Sequence, residues 1–189
     1  QHLFRIDADG SNLRQLTFGD NSEVDSTISP DGNWIVYDSA RFDGSYSKYS
    51  LWKVASAGGA SVLVSETDCA VPHFSPDGKF LSCVRFDKEI LVVSAETGEV
   101  VKTFAAAQPA VLNLGAHWTR DGQNLVYKVT RKNVTNLWIQ PVTGGAARQL
   151  TDFTANGVHN FAFSADGSRL YVVRAYQIND AVLIKISDN

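Results

Sequence analysis

The chain has 189 residues, enough for one domain with a sizeable core, and 44% of them are hydrophobic, including ten Phe and four Trp. Its net charge is -3 with both signs interspersed and no long basic run, which leaves nucleic-acid binding through this domain without support. It has neither an apolar run of about 18 residues nor a signal-peptide pattern, so the segment is expected neither to insert in a membrane nor to carry its own export signal.

Gln1 in place of Met is expected of a processed or excised segment. Residues 1–18 read as half of a repeat: a strand at 3–6, a turn at Asp7-Ala8-Asp9-Gly10, and a strand at 13–17. The same layout recurs at 137–151, and Arg-Gln-Leu-Thr occurs identically at 14–17 and 148–151. The first full repeat spans 19–65, with strands A to D at 24–28, 34–39, 49–54 and 61–64. Its B–C connection, 40–48, is the longest. The second repeat spans 66–105, with strands at 71–74, 80–85, 90–93 and 100–104. The third spans 106–153. Its linker at 105–110 is small and apolar, but Pro109 and the flanking strands argue against a helix. Strands follow at 114–118, 125–130, 137–140 and 148–151. The last repeat, 154–189, offers strands at 159–163, 169–174 and 181–186 and no strand D.

The repeats keep phase through one turn. Asp31-Gly32, Asp77-Gly78, Asp121-Gly122 and Asp166-Gly167 each follow an apolar residue and a Ser or Thr, and each precedes a β-rich run. Asp can bond its own backbone in such a turn and Gly accepts positive φ, so these eight residues read as structural. A period in the 40s built from strands is the signature of propeller blades. Runs such as Val182-Leu183-Ile184 are apolar on both faces, as expected of sheets stacked between neighbours. The expected fold is all-β: a β-propeller of four-stranded antiparallel blades, about four of them present. The favoured form is the C-terminal arc of a six- to eight-bladed propeller. An arc completed by a second copy, or a closed four-bladed ring, are the alternatives.

The Ser-Pro-Asp-Gly hairpins at 29–32 and 75–78 resemble the WD40-like repeat of TolB-type propellers, and blades of this kind also occur in tricorn protease and the prolyl oligopeptidase caps. Residues 164–167 lose the Pro, and 119–122 depart at both leading positions. Gly58-Gly59, and Gly144-Gly145 before Arg148-Gln149-Leu150-Thr151, look like the same family. The ending, from Thr151-Asp152-Phe153 through Phe161–Leu170 to Asn179-Asp180-Ala181-Val182-Leu183-Ile184, resembles the closing blade of bacterial sensor propellers fused to kinase or winged-helix domains. That resemblance implies a periplasmic or extracytoplasmic propeller within a larger protein, and no activity of its own.

Nucleophile-elbow, zincin, P-loop and dinucleotide motifs are absent, so no enzyme activity, cofactor or metal is expected. His2 is expected to fray. His73 and His117 share a repeat position and are expected to pack or hydrogen-bond in strand A, with neighbouring blades holding their rings apart. Cys69 and Cys83 match no zinc spacing. Cys83 reads as a buried small hydrophobe, with pairing as the lesser alternative. Function is left to a surface. Arg41, Phe42, Asp43, Tyr46 and Lys48, Arg131 and Lys132, and Tyr176 and Gln177 line the B–C connections, a mixture of aromatic and charged groups suited to a protein or peptide partner. The D–A connections, with Asp20, Glu23, Asp25, Glu66, Asp68, Asn156 and His159, offer a second surface. Self-association through exposed blade faces is also expected. The alternatives are a noncatalytic gating propeller of a prolyl oligopeptidase-type peptidase and a carbohydrate-facing envelope propeller.

Overall fold

A computed structural model of the chain describes residues 1–42, 47–85, 88–107, 110, 111 and 115–175. Strand β1 (Phe4–Arg5) pairs with β2 (Arg14–Gln15) in a two-stranded ladder. Then come two four-stranded antiparallel blades in sequential order. The first has β3 (Ser22–Ile28), β4 (Trp34–Phe42), β5 (Ser47–Ala55) and β6 (Val62–Ser65). The second has β7 (Ala70–Phe74), β8 (Phe80–Arg85), β9 (Glu89–Ser94) and β10 (Val100–Ala105). In the third, β11 (Ala110–Val111) and β12 (His117–Trp118) both pair with β13 (Asn124–Arg131), which is followed by β14 (Val134–Pro141) and β15 (Arg148–Gln149). A final hairpin joins β16 (Gly157–Phe163) to β17 (Leu170–Ala175).

The β1–β2 ladder is built like β14–β15. Leu3 N–H donates to Thr17 Oγ1 at 2.9 Å, and Leu137 N–H to Thr151 Oγ1 at 3.0 Å. Leu16 and Leu150 each donate backbone N–H to the carbonyl of Leu3 and Leu137 at 2.8 Å.

Sheets whose strands are apolar on both faces must be covered on both faces, and here each blade covers the next. Residues of the second strand alternate between the two neighbours: Leu125, Tyr127 and Val129 pack back onto Val84, Ile90 and Val92, whereas Val126 packs forward with Leu137, Val158 and Phe161. Val36 and Leu51 likewise meet Leu81, Leu91 and Val93, and Leu16 and Leu3 meet Tyr37 and Val54. Four apolar seams result, and the core is distributed among them. Among the described residues no ladder joins β1–β2 to β16–β17, so the described blades form an open arc.

Some expectations change. Residues 40–42 and 47–48 belong to strands, so the first B–C connection is shorter than 40–48; Arg41 pairs with Lys48 across β4 and β5. The third inner strand is described as β11 and β12, with 112–114 outside the described residues, and Ala105 and Ala110 lie in strands and not in a linker. Residues 181–186 lie outside the described residues. Cys83 is not a lone hydrophobe: it is bonded to Cys69. Ala70 pairs with Val84, which places Cys69 and Cys83 on one face of the β7–β8 ladder, 5.7 Å apart at Cα.

Candidate functional site

An antiparallel blade puts its A–B and C–D turns at one end and its B–C and D–A connections at the other. At the first end, the four Asp-Gly turns share one set of bonds. The hydroxyl of Ser29, Ser75, Thr119 or Ser164 donates to the Asp carboxylate two residues on. The same oxygen takes the backbone N–H of Asn33, Lys79, Gln123 or Ser168. Gly32, Gly78, Gly122 and Gly167 follow, at φ between 68 and 74°. The hydroxyl bonds hold the carboxyls of Asp31, Asp77, Asp121 and Asp166 below the usual range, Asp166 to about 2. With both its neighbours in the turn engaged, each Asp fixes its own hairpin.

Two clefts open between blades at this end. One, of about 640 Å³, is lined by Pro30, Trp34, Lys53, Phe74 and Phe80. The next, of about 430 Å³, has Pro76, Phe80, Lys102, Trp118 and Arg120. Sequence reasoning passed over them, although the aromatic residue three places after the Asp at Trp34 and Phe80 was a usable signal.

The inner strands carry a shared irregularity. The ladder shifts register between Glu23 and Ser26, between Ala70 and His73, and between Val158 and Asn160. Such bulges leave backbone groups unpaired within the blade. The preceding blade supplies partners. Asp38 accepts Val71 N–H at 2.8 Å, and also Asp25 N–H in its own blade at 3.0 Å. Ser82 Oγ donates to Ala116 O at 2.6 Å, and Lys128 Nζ to His159 O at 3.4 Å. Asp38 and Lys128 hold equivalent repeat positions with opposite charge. Burial raises the Asp38 carboxyl and lowers the Lys128 ammonium.

The histidines depart from expectation. His2 is held by Glu23, Nδ1 to Oε2 at 2.9 Å. The rings of His73 and His117 are not held apart: their centroids lie 4.1 Å apart, and His117 also meets Phe161 at 4.7 Å. Inner strands of adjacent blades converge, which brings the equivalent residues His73 and His117 together, while Phe161 lies one place before their equivalent, Ala162. Among the described residues no group of three or more His, Cys, Asp or Glu could hold a metal ion.

At the other end, the two surfaces expected from sequence meet in the first blade. Arg41 and Lys48, at the ends of β4 and β5 beside the B–C connection, share a cavity of about 280 Å³ with Asn21 and Glu66 from D–A connections, above Trp52 and Leu63. Asp68, also D–A, accepts Tyr49 N–H at 2.9 Å. In the third blade Lys132 and Asn133 adopt φ of 50 and 63° in a tight turn between Arg131 and Val134, and the Arg131 guanidinium lies 4.7 Å from the Trp138 ring centroid. Glu23 is buried with Thr17 and is no surface group, and Asp25 lies at the β3 bulge. Phe42 pairs through its backbone with Ser47. Asp43, Tyr46, Tyr176 and Gln177 lie outside the described residues.

No family model matches the chain. Over 71 residues, 34% of the chain, it is 45% identical to the Tol-Pal system protein TolB of Legionella pneumophila strain Corby. Over 103 residues, 50% of the chain, it is 31% identical to the protein of the same name from Anaeromyxobacter dehalogenans. The matched stretches are TolB-like. These matches take in 17% and 22% of the relatives, so the chain spans less than a quarter of the curated proteins it matches. Its fold follows crystal structures of TolB from Acinetobacter baumannii (TM-score 0.68, 20% identity, 90% of this chain and 42% of that one) and of a TolB-named protein from Agrobacterium tumefaciens (TM-score 0.65, 17% identity, 90% and 73%). It also follows a nidogen/laminin complex at TM-score 0.61 and 14% identity, which shows the shared fold alone.

Proposed function

We propose that this TolB-like domain is a noncatalytic protein-interaction propeller of a bacterial envelope protein, working in an extracytoplasmic compartment. The carrying observation is the merging of the B–C and D–A connections into one end of the arc, where Arg41, Lys48, Arg131 and Lys132 are exposed on strand ends and a tight turn. Rigid scaffolds that place charged and aromatic groups on connections suit recognition of another protein. The Cys69–Cys83 disulfide supports an oxidising compartment. In the narrower form of this reading, the propeller serves as the sensing part of a protein with a kinase or winged-helix output. That form rests on the closing residues 179–184, and the full reading frame decides it.

Photo-crosslinking separates the two ends. A benzophenone side chain at Lys132 is expected to give a discrete protein adduct in the producing bacterium, weakened by Arg131→Glu, whereas one at Glu96 gives none. An adduct at Glu96 with none at Lys132 would overturn the assignment.

A further inference from the structure

The notch between Arg41 and Lys48 has the chemistry of a specific subsite. Arg41 and Lys48 are directly opposed in the β4–β5 ladder, so their side chains leave the same face of the sheet. Like charges in that arrangement repel and cost stability. Among the described residues neither forms an ion pair, and Glu66, which lines the same cavity, stands beyond ion-pair distance of both. Two cations against one carboxylate leave the notch with an excess positive charge.

Beneath the cations the lining turns apolar. Trp52 and Leu63 pair across β5 and β6 and form the floor, and the Trp52 indole N–H is already donated to Ser50 Oγ at 2.9 Å. The floor therefore offers area without asking for a hydrogen bond. Asn21 and Ser39 add polar edges. At about 280 Å³ the cavity lies at the small end for ligand sites and fits one side chain, not a folded surface.

We infer that this notch binds a carboxylate carried beside an aliphatic side chain, as in an apolar residue at a free peptide C-terminus. The guanidinium of Arg41 can take the carboxylate through two parallel N–H···O bonds, and the Lys48 ammonium adds a point charge from the opposite strand. The aliphatic group then lies on Trp52 and Leu63. A bound carboxylate also removes the Arg41–Lys48 repulsion, so binding relieves a cost the free protein carries. The inference rests on the assignment of this end as the interaction surface and names the chemistry of its partner.

The test is an NMR titration of the purified chain with N-acetyl-leucine, read at the Trp52 indole resonance, which is identified with Trp52→Phe. N-acetyl-leucinamide, which has the same side chain and no charge, is the control. The acid is expected to shift the resonance saturably, with the amide at least tenfold weaker. Arg41→Ala with Lys48→Ala should abolish the preference while leaving the rest of the spectrum in place, because both residues are exposed. Equal shifts from acid and amide, no shift with either, or a preference that survives the double substitution would each overturn the carboxylate notch. A crosslink at Lys132 alongside any of these outcomes would leave the interaction surface standing without it.

Discussion

Single carboxylates in this chain carry opposite pH dependences, and the sign follows from their surroundings. The four turn aspartates are held below their unfolded values by hydroxyl and backbone donors. What they contribute is present above the unfolded value and is lost as pH falls through the folded ones, down to about 2 for Asp166. Denaturant midpoints should therefore fall between about pH 4 and pH 2, and Asp166→Asn should flatten part of that slope. Asp38 behaves the other way. Burial raises its carboxyl, so its contribution is complete below the unfolded value and declines as pH rises through the folded one. Asp38→Asn should remove some of the decline above pH 4. Asp38→Ala should cost about 1–3 kcal/mol, because the N–H groups of Val71 and Asp25 lose their acceptor inside the seam. If urea melts of the alanine variant match those of the parent chain, the bonds between first and second blade are not what holds that bulge.

At the scale of elements, the contacts between blades are tight at some points and loose at their counterparts. Gly98, in the turn between β9 and β10, has φ of +74°, and an added Cβ would fall 1.7 Å from Val64 O in the preceding blade. Gly144 occupies the matching turn of the third blade at φ +112°, with nothing within 4 Å. Gly144→Ala should cost about 1 kcal/mol from backbone strain alone, and Gly98→Ala about 3 kcal/mol or more once overpacking is added. Comparable thermal shifts for the two would mean the seam gives way easily. The Cys69–Cys83 bond closes a loop of 14 residues' separation, so replacing both with Ala should cost about 3 kcal/mol, read as the shift in denaturant midpoint. The hairpins were legible in sequence because the Asp-Gly turn is a local device whose bonds reach only five residues, as from Ser29 to Trp34. The disulfide, the His73–His117 contact and the Asp38 bond were not, since each depends on a bulge register or on which strands of neighbouring blades meet. That B–C and D–A connections share one end of each blade follows from strand direction alone and was legible in the sequence. Arg41 and Lys48 were named from composition, but their opposition across a ladder required the extension of β4 and β5.

For the molecule as a whole, the two ends of the arc expose positions that are buried or half-buried in the other blades. Phe4 corresponds to Trp138, which packs on the second blade, yet Phe4 is 56% exposed. Tyr171 corresponds to Val126, which is fully buried between the third blade and the last hairpin, yet Tyr171 is 58% exposed, and Val173 near it is 57% exposed. Among the described residues, no following blade covers the forward face of the last hairpin as Val36, Ser82 and Val126 are covered, and none covers the backward face of β1–β2. Both faces belong to one repeat type, so a second copy docked head to tail would cover both, in a contact that closes only if the rotation allows a ring. Exposed apolar faces of this kind favour association in water. Light scattering across a concentration series should therefore give a mass above the 20.6 kDa of one chain, rising with concentration. Phe4→Lys combined with Tyr171→Lys should return it toward that of one chain, since a charge at either face opposes burial there. A monomer at all concentrations, with Phe4 and Tyr171 protected from solvent, would mean that the two ends meet within a single chain and that the arc closes on itself.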